Sequence, residues 1–588
     1  MSQEESRQTK KEGNFLKRAF DEVVSVLVPA LEVQVILGLS FVLTLLVSWF
    51  YIGMNDPRFP VEQPMNIVWA ALVSFGAFAI GQIIRKVYPV QTKLDLKHGA
   101  FVILLVWFFA CSISSFYFIL SGFPVPAQAE TFGLWRQYVD GFYEAMSGFT
   151  TTGTSILPSV EAFPRSVIFY RSWTHWVGGM GIAYMIITLW RGFQTRRGEI
   201  INSEAETPVF MLYKDEEEAI NSGAEFLKVY VVLSVICTVL LLITGAYFRV
   251  TPYTQWYDNV FDALTMMFGA LGTGGFGVYD TSVGLMQTLP DGTRVIGGLQ
   301  NPMSEWVLAF FMAFAGMNLA LWYMLMFKKK ASAMFNNTEF RAFWAFIILS
   351  TLGIWAVLMT WPDRIGTALD NLRYAFFSVT TIVSTTGYAN TDFSVWPIGA
   401  IAILFLSYLM GGSVGSTGGG LKTLRFVVLY KYCKMQILNV IHGRNDDSFV
   451  VDGMRYDNKT AGLILVNMII YFLIFFAGAV LIALTSATIY FVNGGSATMD
   501  LETAFTAAIA NLGNIGPAVI NGASNSGATG NYSAFSVTAK VIMAIMMFIG
   551  RVGVLTIVML FISRVGQRNF QHNRSTVEFD SDAPMILK

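Results

Sequence analysis

Four glycines, Gly153, Gly275, Gly387 and Gly516, recur at intervals of 122, 112 and 129 residues. Each ends a segment of one design: DGFYEAMSGFTTTGTS (Asp140 to Ser155), DALTMMFGALGTGGFG (Asp262 to Gly277), NLRYAFFSVTTIVSTTGYA (Asn371 to Ala389) and DLETAFTAAIANLGNIGP (Asp500 to Pro517). An amphipathic half-length helix runs straight into a glycine-containing turn. A helix of about ten residues cannot cross a hydrocarbon core of roughly 30 Å, and irregular backbone at that depth must be buried in protein or line water. Glycine at such a turn lets carbonyls point inward, and a ring of carbonyls can replace the hydration shell of a monovalent cation. The half-helices enter from outside, so their partly negative C-terminal ends aim at the same axis and disfavour anions. Asp140, Asp262 and Asp500 stand near the starts, where a carboxylate caps free N–H groups or collects cations at the mouth.

Two further features carry chemistry. The segment MGGSVGSTGGGLKTLR, Met410 to Arg425, places Gly411, Gly412, Gly415, Gly418, Gly419 and Gly420 within ten residues. At roughly 1 kcal/mol per glycine, a helix there is broken. A phosphate-binding loop needs Gly-Lys adjacent, but Leu421 separates Gly420 from Lys422 and no strand precedes it. A flexible plug inside the pore fits better, with close helix packing as the alternative. Arg551 lies about sixteen residues into the last apolar run, or roughly 24 Å from its outer end. It acts as a positive barrier or anchors the loop's carbonyls, unless it reaches the cytoplasmic interface. Lys540, near the start of that run, is expected to snorkel outward.

Other chemistries lack their parts. His98, His175, His442 and His572 form no metal-spaced pair, and Cys111, Cys237 and Cys433 lie far apart. No nucleophile, acid and base group is recognisable at membrane depth, so the chain does not read as an enzyme. Formal net charge is zero, which gives nucleic acid no electrostatic footprint.

The elements that must hold these groups are apolar helices. Charged residues make up 13% of the 588, about half the roughly 25% of soluble domains. Ten spans can be drawn, near 34–51, 66–86, 99–122, 174–190, 225–247, 303–327, 340–361, 396–430, 462–491 and 535–563. Basic residues mark every second connection: Arg7, Lys10, Lys11, Lys17 and Arg18; Lys86, Lys93 and Lys97; Arg191, Arg196, Arg197 and Lys214; Lys328, Lys329, Lys330 and Arg341; Lys431, Lys434 and Arg444; Arg564, Arg568 and Arg574. The stretch from Val492 to Ala534 has neither Lys nor Arg. Both termini and the basic loops therefore face the cytoplasm, and the mixed-charge N-terminus is not a signal peptide.

The fold expected is an all-α polytopic membrane protein of about ten transmembrane helices, with four pore-loop repeats (helix, half-helix, helix) around one pore. Residues 1–30 form a cytoplasmic tail, 31–98 two additional helices, 99–190 the first repeat, 191–224 a cytoplasmic loop, 225–327 the second repeat and 328–430 the third. Residues 431–461 form another cytoplasmic loop, 462–563 the fourth repeat and 564–588 the C-terminal tail.

SGFTTTG (147–153), WVGGMGI (176–182), GTGGF (272–276), STTGYA (384–389), GGSVGSTGGGLK (411–422), NLGNIGP (511–517) and GRVGVLT (550–556) follow in this order. From about Gly99 to Phe561 the chain resembles the superfamily of potassium transporters, and specifically the membrane subunit of bacterial Trk-type uptake systems. The resemblance implies a potassium filter made by Thr152, Gly153, Gly274, Gly275, Thr386, Gly387, Ile515 and Gly516. Relatives with Ser in the first loop tend to favour sodium. It further implies that Gly411 to Gly420 is the gating loop, with Arg551 as the basic residue beneath the filter. Members are homodimers in the inner membrane, seated on a cytoplasmic ring of nucleotide-binding regulatory subunits.

Where the family often has an acidic residue two positions after the arginine, this chain has Gly553, and the connections 279–303 and 521–531 are long and polar. Coupling to protons or sodium stays open beside a gated channel. A carrier of organic solutes is a further alternative, but such carriers usually carry inverted repeats, not four of one orientation.

Overall fold

The computed structural model describes residues 20–54, 60–88, 96–122, 133–157, 159–190, 216–247, 256–283, 287–288, 294–295, 299, 301–362, 366–443, 445–490, 496–519, 532–554 and 557. Expectations for the tails 1–19 and 558–588, the loop 191–215, about half of 279–303 and all of 521–531 fall outside them. So do most of the basic residues that set the orientation.

Among the described residues the fold is built from long apolar helices and shorter ones, four of which run into a glycine turn. Six described helices are long and apolar enough to cross a membrane: Phe20–Met54, Pro64–Val87, Phe101–Leu120, Glu225–Tyr247, Thr338–Thr360 and Asn458–Thr485. Leu39, Leu46 and Trp49 on the first, and Leu473 and Leu484 on the last, are more than half exposed. An apolar face of that extent suits lipid rather than water. The other expected spans are charged, short or interrupted. Arg165–Trp190 carries Arg165, Arg171 and His175, and Val537–Val552 has 16 residues.

Two spans are broken. The span drawn over 396–430 is Ile398–Leu409 and Thr423–His442, with Met410–Lys422 irregular between them. The span drawn over 303–327 is not one helix: Pro302–Ala315 and Leu319–Met326 meet at 103°. Asn318 caps the second piece by accepting from the Ala320 N–H, and the carbonyls freed at the break are used by the Met410–Lys422 segment, as described below. The region 431–461, expected as a loop, contains the end of the helix to His442 and a β-hairpin pairing Ser448–Val451 with Met454–Asp457. Its two-residue turn, Asp452-Gly453, has φ of 48° and 82°, as a type I′ hairpin demands.

The short helices are Gly133–Phe149, Trp256–Leu271, Ala368–Val383 and Leu501–Leu512. Each packs on the long helix before it. Each also receives a helix from a neighbour: Arg165–Trp190 leans on the second, Pro302–Ala315 on the third, Ile398–Leu409 on the fourth and Val537–Val552 on the first. That order closes a ring. Gln34–Met54 lies outside it against Arg165–Trp190, where Phe41 and Tyr170 stack at 4.6 Å.

Of the three capping carboxylates expected, only Asp500 caps, accepting from the Thr503 N–H. The first two short helices start several residues earlier than read, which places Asp140 and Asp262 within them. The third begins with a Thr367–Asp370 capping box. Hydrogen bonds from the Thr367 backbone and hydroxyl hold the Asp370 carboxyl below its ordinary pKa.

Candidate functional site

Each short helix ends in one and the same turn. The N–H groups of Thr152, Gly274, Thr386 and Ile515 donate five residues back, to the carbonyls of Ser147, Gly269, Thr381 and Ala510, at 2.8–2.9 Å. The residue before each is left-handed: Thr151, Thr273, Thr385 and Asn514 have φ of 51–58°. The residue after each is Gly153, Gly275, Gly387 or Gly516, with φ of 76–102°. Two left-handed residues flanking one other reverse the chain sharply, and only glycine adopts the second without strain.

The turns meet in a closed cycle. A methyl group on Gly153 would lie under 3.0 Å from the Gly274 carbonyl oxygen; on Gly275, from that of Thr386; on Gly387, from that of Ile515; and on Gly516, from that of Thr152. Each glycine thus leaves the space into which its neighbour's carbonyl projects. The eight residues Thr152, Gly153, Gly274, Gly275, Thr386, Gly387, Ile515 and Gly516 are thereby brought together at the C-terminal ends of four helices, where partial negative charge accumulates. Hydroxyls bond inside the turns, Thr150 to Thr152 at 2.7 Å and Ser384 to Thr386 at 2.8 Å. Asn514 Nδ2 donates across to Thr152 Oγ1 at 2.9 Å, joining the fourth turn to the first.

The glycine-rich segment lies against the same helix ends. Thr417 Oγ1 donates to the Leu271 carbonyl at 3.0 Å, at the end of the second short helix. The Gly419 N–H donates to Thr385 Oγ1 of the third turn at 2.8 Å, and a side chain on Gly419 would strike Asn514 of the fourth. The break at 316–318 supplies acceptors: Ser413 N–H donates to the Gly316 carbonyl at 2.8 Å and Thr417 N–H to that of Ala315 at 3.2 Å. Gly411 N–H closes the base onto Leu421 O at 2.8 Å. Arg551 is 9% exposed, with its guanidinium turned onto main-chain carbonyls. Its Nη1 donates to Thr417 O at 2.6 Å and its Nη2 to Gly178 O at 2.9 Å, so it fastens the segment to the helix following the first turn.

Several supports were not read from the sequence. His175 sits between the first two turns: Nδ1 faces Gly148 O at 2.9 Å, and Nε2 accepts from the Phe276 N–H at 3.2 Å. This pairing requires the neutral Nδ1–H tautomer. The imidazole fills the space where a residue other than glycine at 274 would place its side chain, which accounts for Gly where the other turns have Thr or Ile.

Buried ion pairs fasten the ring. Glu144 and Arg171, each at most 1% exposed, meet at 2.7 Å. Glu144 also accepts from the Ile156 N–H, fixing the chain as it leaves the first turn. Arg373 binds Glu305 at 3.0 Å, and Asn390 donates to the same carboxylate at 2.7 Å. Arg165 stands 3.9 Å from both Asp258 and Asp262, and Asp262 accepts from the Tyr279 hydroxyl. Lys540 does not snorkel; it is fully buried and binds Asp140 at 2.7 Å. The seam between the third and fourth quarters is held instead by the Tyr408 hydroxyl, donating to Pro517 O at 2.9 Å.

Residues 131–573 match a family model described as TrkH, cation transport protein. Gln34–Met54 and Pro64–Val87 precede that match. The chain is 26% identical over 490 residues to the Trk system potassium uptake protein TrkH of Salmonella typhimurium, covering 82% of this chain and 89% of that one. It is 25% identical over 522 residues to TrkH of Halomonas elongata, covering 88% and 96%, and 25% over 474 to TrkG of Escherichia coli, covering 79% and 84%. The crystal structure of the potassium transporter TrkH from Vibrio parahaemolyticus shares the fold, with a TM-score of 0.71 at 20% identity over 93% of this chain and 99% of that one.

Proposed function

Because the chain belongs to the TrkH family of cation transport proteins, which move ions and are not enzymes, we propose that it takes up potassium through the ring of four turns. The observation that carries this reading is the closed cycle, in which each glycine makes room for the next turn's carbonyl. Carbonyls so crowded together can replace the water around a monovalent cation that has lost its hydration shell, and the four helix ends favour positive charge there. Thr152, Gly153, Gly274, Gly275, Thr386, Gly387, Ile515 and Gly516 form the filter.

Gly411, Gly412, Gly415, Gly418, Gly419 and Gly420 let the intramembrane segment fold into the space against the helix ends, and there it blocks the path. Arg551 locks it in place and adds positive charge below the filter. On this reading the four repeats are those drawn at 99–190, 225–327, 328–430 and 462–563. The protein resides in the inner membrane with both termini cytoplasmic, as a homodimer on a nucleotide-binding regulatory subunit. The named relatives, Trk system potassium uptake proteins, support the choice of potassium.

The test is flux. Purified chain in liposomes should pass rubidium or potassium far better than sodium, and equal rates or no flux would refute the filter. Repeating the assay under separately imposed proton and potassium gradients distinguishes a channel from a symporter.

A further inference from the structure

The β-hairpin Ser448–Asp457 is joined to the glycine-rich segment in two ways, neither of which passes through the ring. The first is apolar. Val414 of the segment is buried in a small cluster with Leu424, Val427 and Val428 of the following helix and with Val451 and Tyr456 of the hairpin, separate from the main core. The second is a relay of two carboxylates. Asp452, in the hairpin turn, accepts from the Thr338 N–H at 2.9 Å, the Thr338 hydroxyl at 2.5 Å and Asn337 Nδ2 at 3.1 Å. It thereby holds the N-terminus of the helix Thr338–Thr360.

The next residue, Glu339, points inward and is 4% exposed. Its Oε1 accepts from the Val414 N–H at 2.8 Å and the Leu424 N–H at 3.1 Å. Those two donors flank the core of the segment, so one oxygen staples its two arms. The Val414 N–H lies in the irregular segment and the Leu424 N–H in the free first turn of the helix Thr423–His442; both are buried, so they require an acceptor.

We propose that the hairpin is a lever on the glycine-rich segment and that Glu339 is the positioning residue through which it acts. Displacing the turn withdraws the Asp452 cap from Thr338, shifts Glu339 by one residue's linkage and pulls Val414 through the apolar cluster. The segment's two arms then part. Force applied at the hairpin, on the face assigned to the cytoplasm, reaches the segment without disturbing the filter. This rests on the reading of Gly411–Gly420 as the gate, and the test separates the two.

The full chain with Cys433→Ser and Val414→Cys is reacted with a maleimide in detergent, alone and with Glu339→Ala, Glu339→Gln or Asp452→Ala added. Glutamine keeps a carbonyl oxygen able to accept both N–H groups, whereas alanine keeps none. Labelling is expected to quicken about tenfold or more in the two alanine variants and to stay near the parent rate in Glu339→Gln. Equal labelling in all four overturns the lever whatever the fluxes are, and so does labelling in Glu339→Gln as fast as in Glu339→Ala. Matching size-exclusion profiles identify folded variants, and Asp452→Ala decides if Glu339→Ala is misfolded.

In liposomes, Glu339→Ala should raise rubidium flux in the full chain and add nothing once Gly412–Gly419 is deleted. A rise that survives the deletion also overturns the lever. If the deletion alone leaves flux unchanged, the gate reading fails, while the labelling still decides the coupling.

Discussion

At Gly153 one carbon atom separates two outcomes. Its φ of 82° is a left-handed conformation, and a Cβ there would collide with the Gly274 carbonyl oxygen. A serine must therefore push the neighbouring turn outward and tilt its carbonyl. Gly153→Ser is expected to lower the rubidium-to-sodium permeability ratio while leaving the protein folded, since the strain falls on one quarter of the ring. An unchanged ratio would remove Gly153 from the filter.

These glycines were legible in the sequence because no other residue type takes such a turn without strain, so the constraint leaves a mark at the position itself. His175 was not legible. Its role lies in two hydrogen bonds to backbone atoms of Gly148 and Phe276, one of them 101 residues away, and main-chain partners leave no side-chain signature.

Between helices, the same distinction explains Lys540. Read alone, a lysine near the end of an apolar run snorkels, but its partner Asp140 stands 400 residues earlier in the chain. Only the closure of the ring brings them together. Removing one member of a buried pair leaves an uncompensated charge, at a cost of about 3 kcal/mol or more. Lys540→Met should thus lower the thermal unfolding temperature in detergent, and adding Asp140→Leu should restore most of it. Equal destabilisation by the single and double variants would show that the pair contributes nothing to the seam.

Arg551 works on an element of another kind, a buried irregular segment outside any helix or strand. Arg551→Ala deletes its bonds to Thr417 and Gly178, so basal rubidium flux should rise severalfold. Lost flux from folded protein would argue that the arginine supports conduction. The break at 316–318 had a signal, Gly316 followed closely by Asn318, but an apolar run continues across it, and hydropathy alone reads through. The hairpin had a plainer one, VVDGMRY, with Asp-Gly between apolar residues.

Across the whole molecule, the four short helices and the four helices that lean on them make a circuit without an end. The last quarter completes the first: Val537–Val552 packs on Gly133–Phe149, and Asn511 accepts from the Tyr143 hydroxyl at 3.1 Å. A chain ending before Asn458 exposes the buried charge of Asp140 and half of every contact at two seams. It should elute as aggregate in size-exclusion chromatography, and co-expressing residues 458–588 should restore a single sharp peak. A monodisperse truncated chain would mean that three quarters stand without the fourth.

The quarters are alike at the turns and unlike everywhere that the turns are served. The glycine-rich segment comes from the third quarter alone, yet it bonds to Leu271 of the second and to Arg551 of the fourth, which in turn bonds Gly178 of the first. Four identical subunits would bring four such segments to a space that one fills, and four copies of the first quarter would set four imidazoles beside the turns. Joining the quarters in one polypeptide gives up exact symmetry, and in return each copy was free to diverge. Under the gate proposed above, a round opening is closed from one side, by a single door on a single hinge.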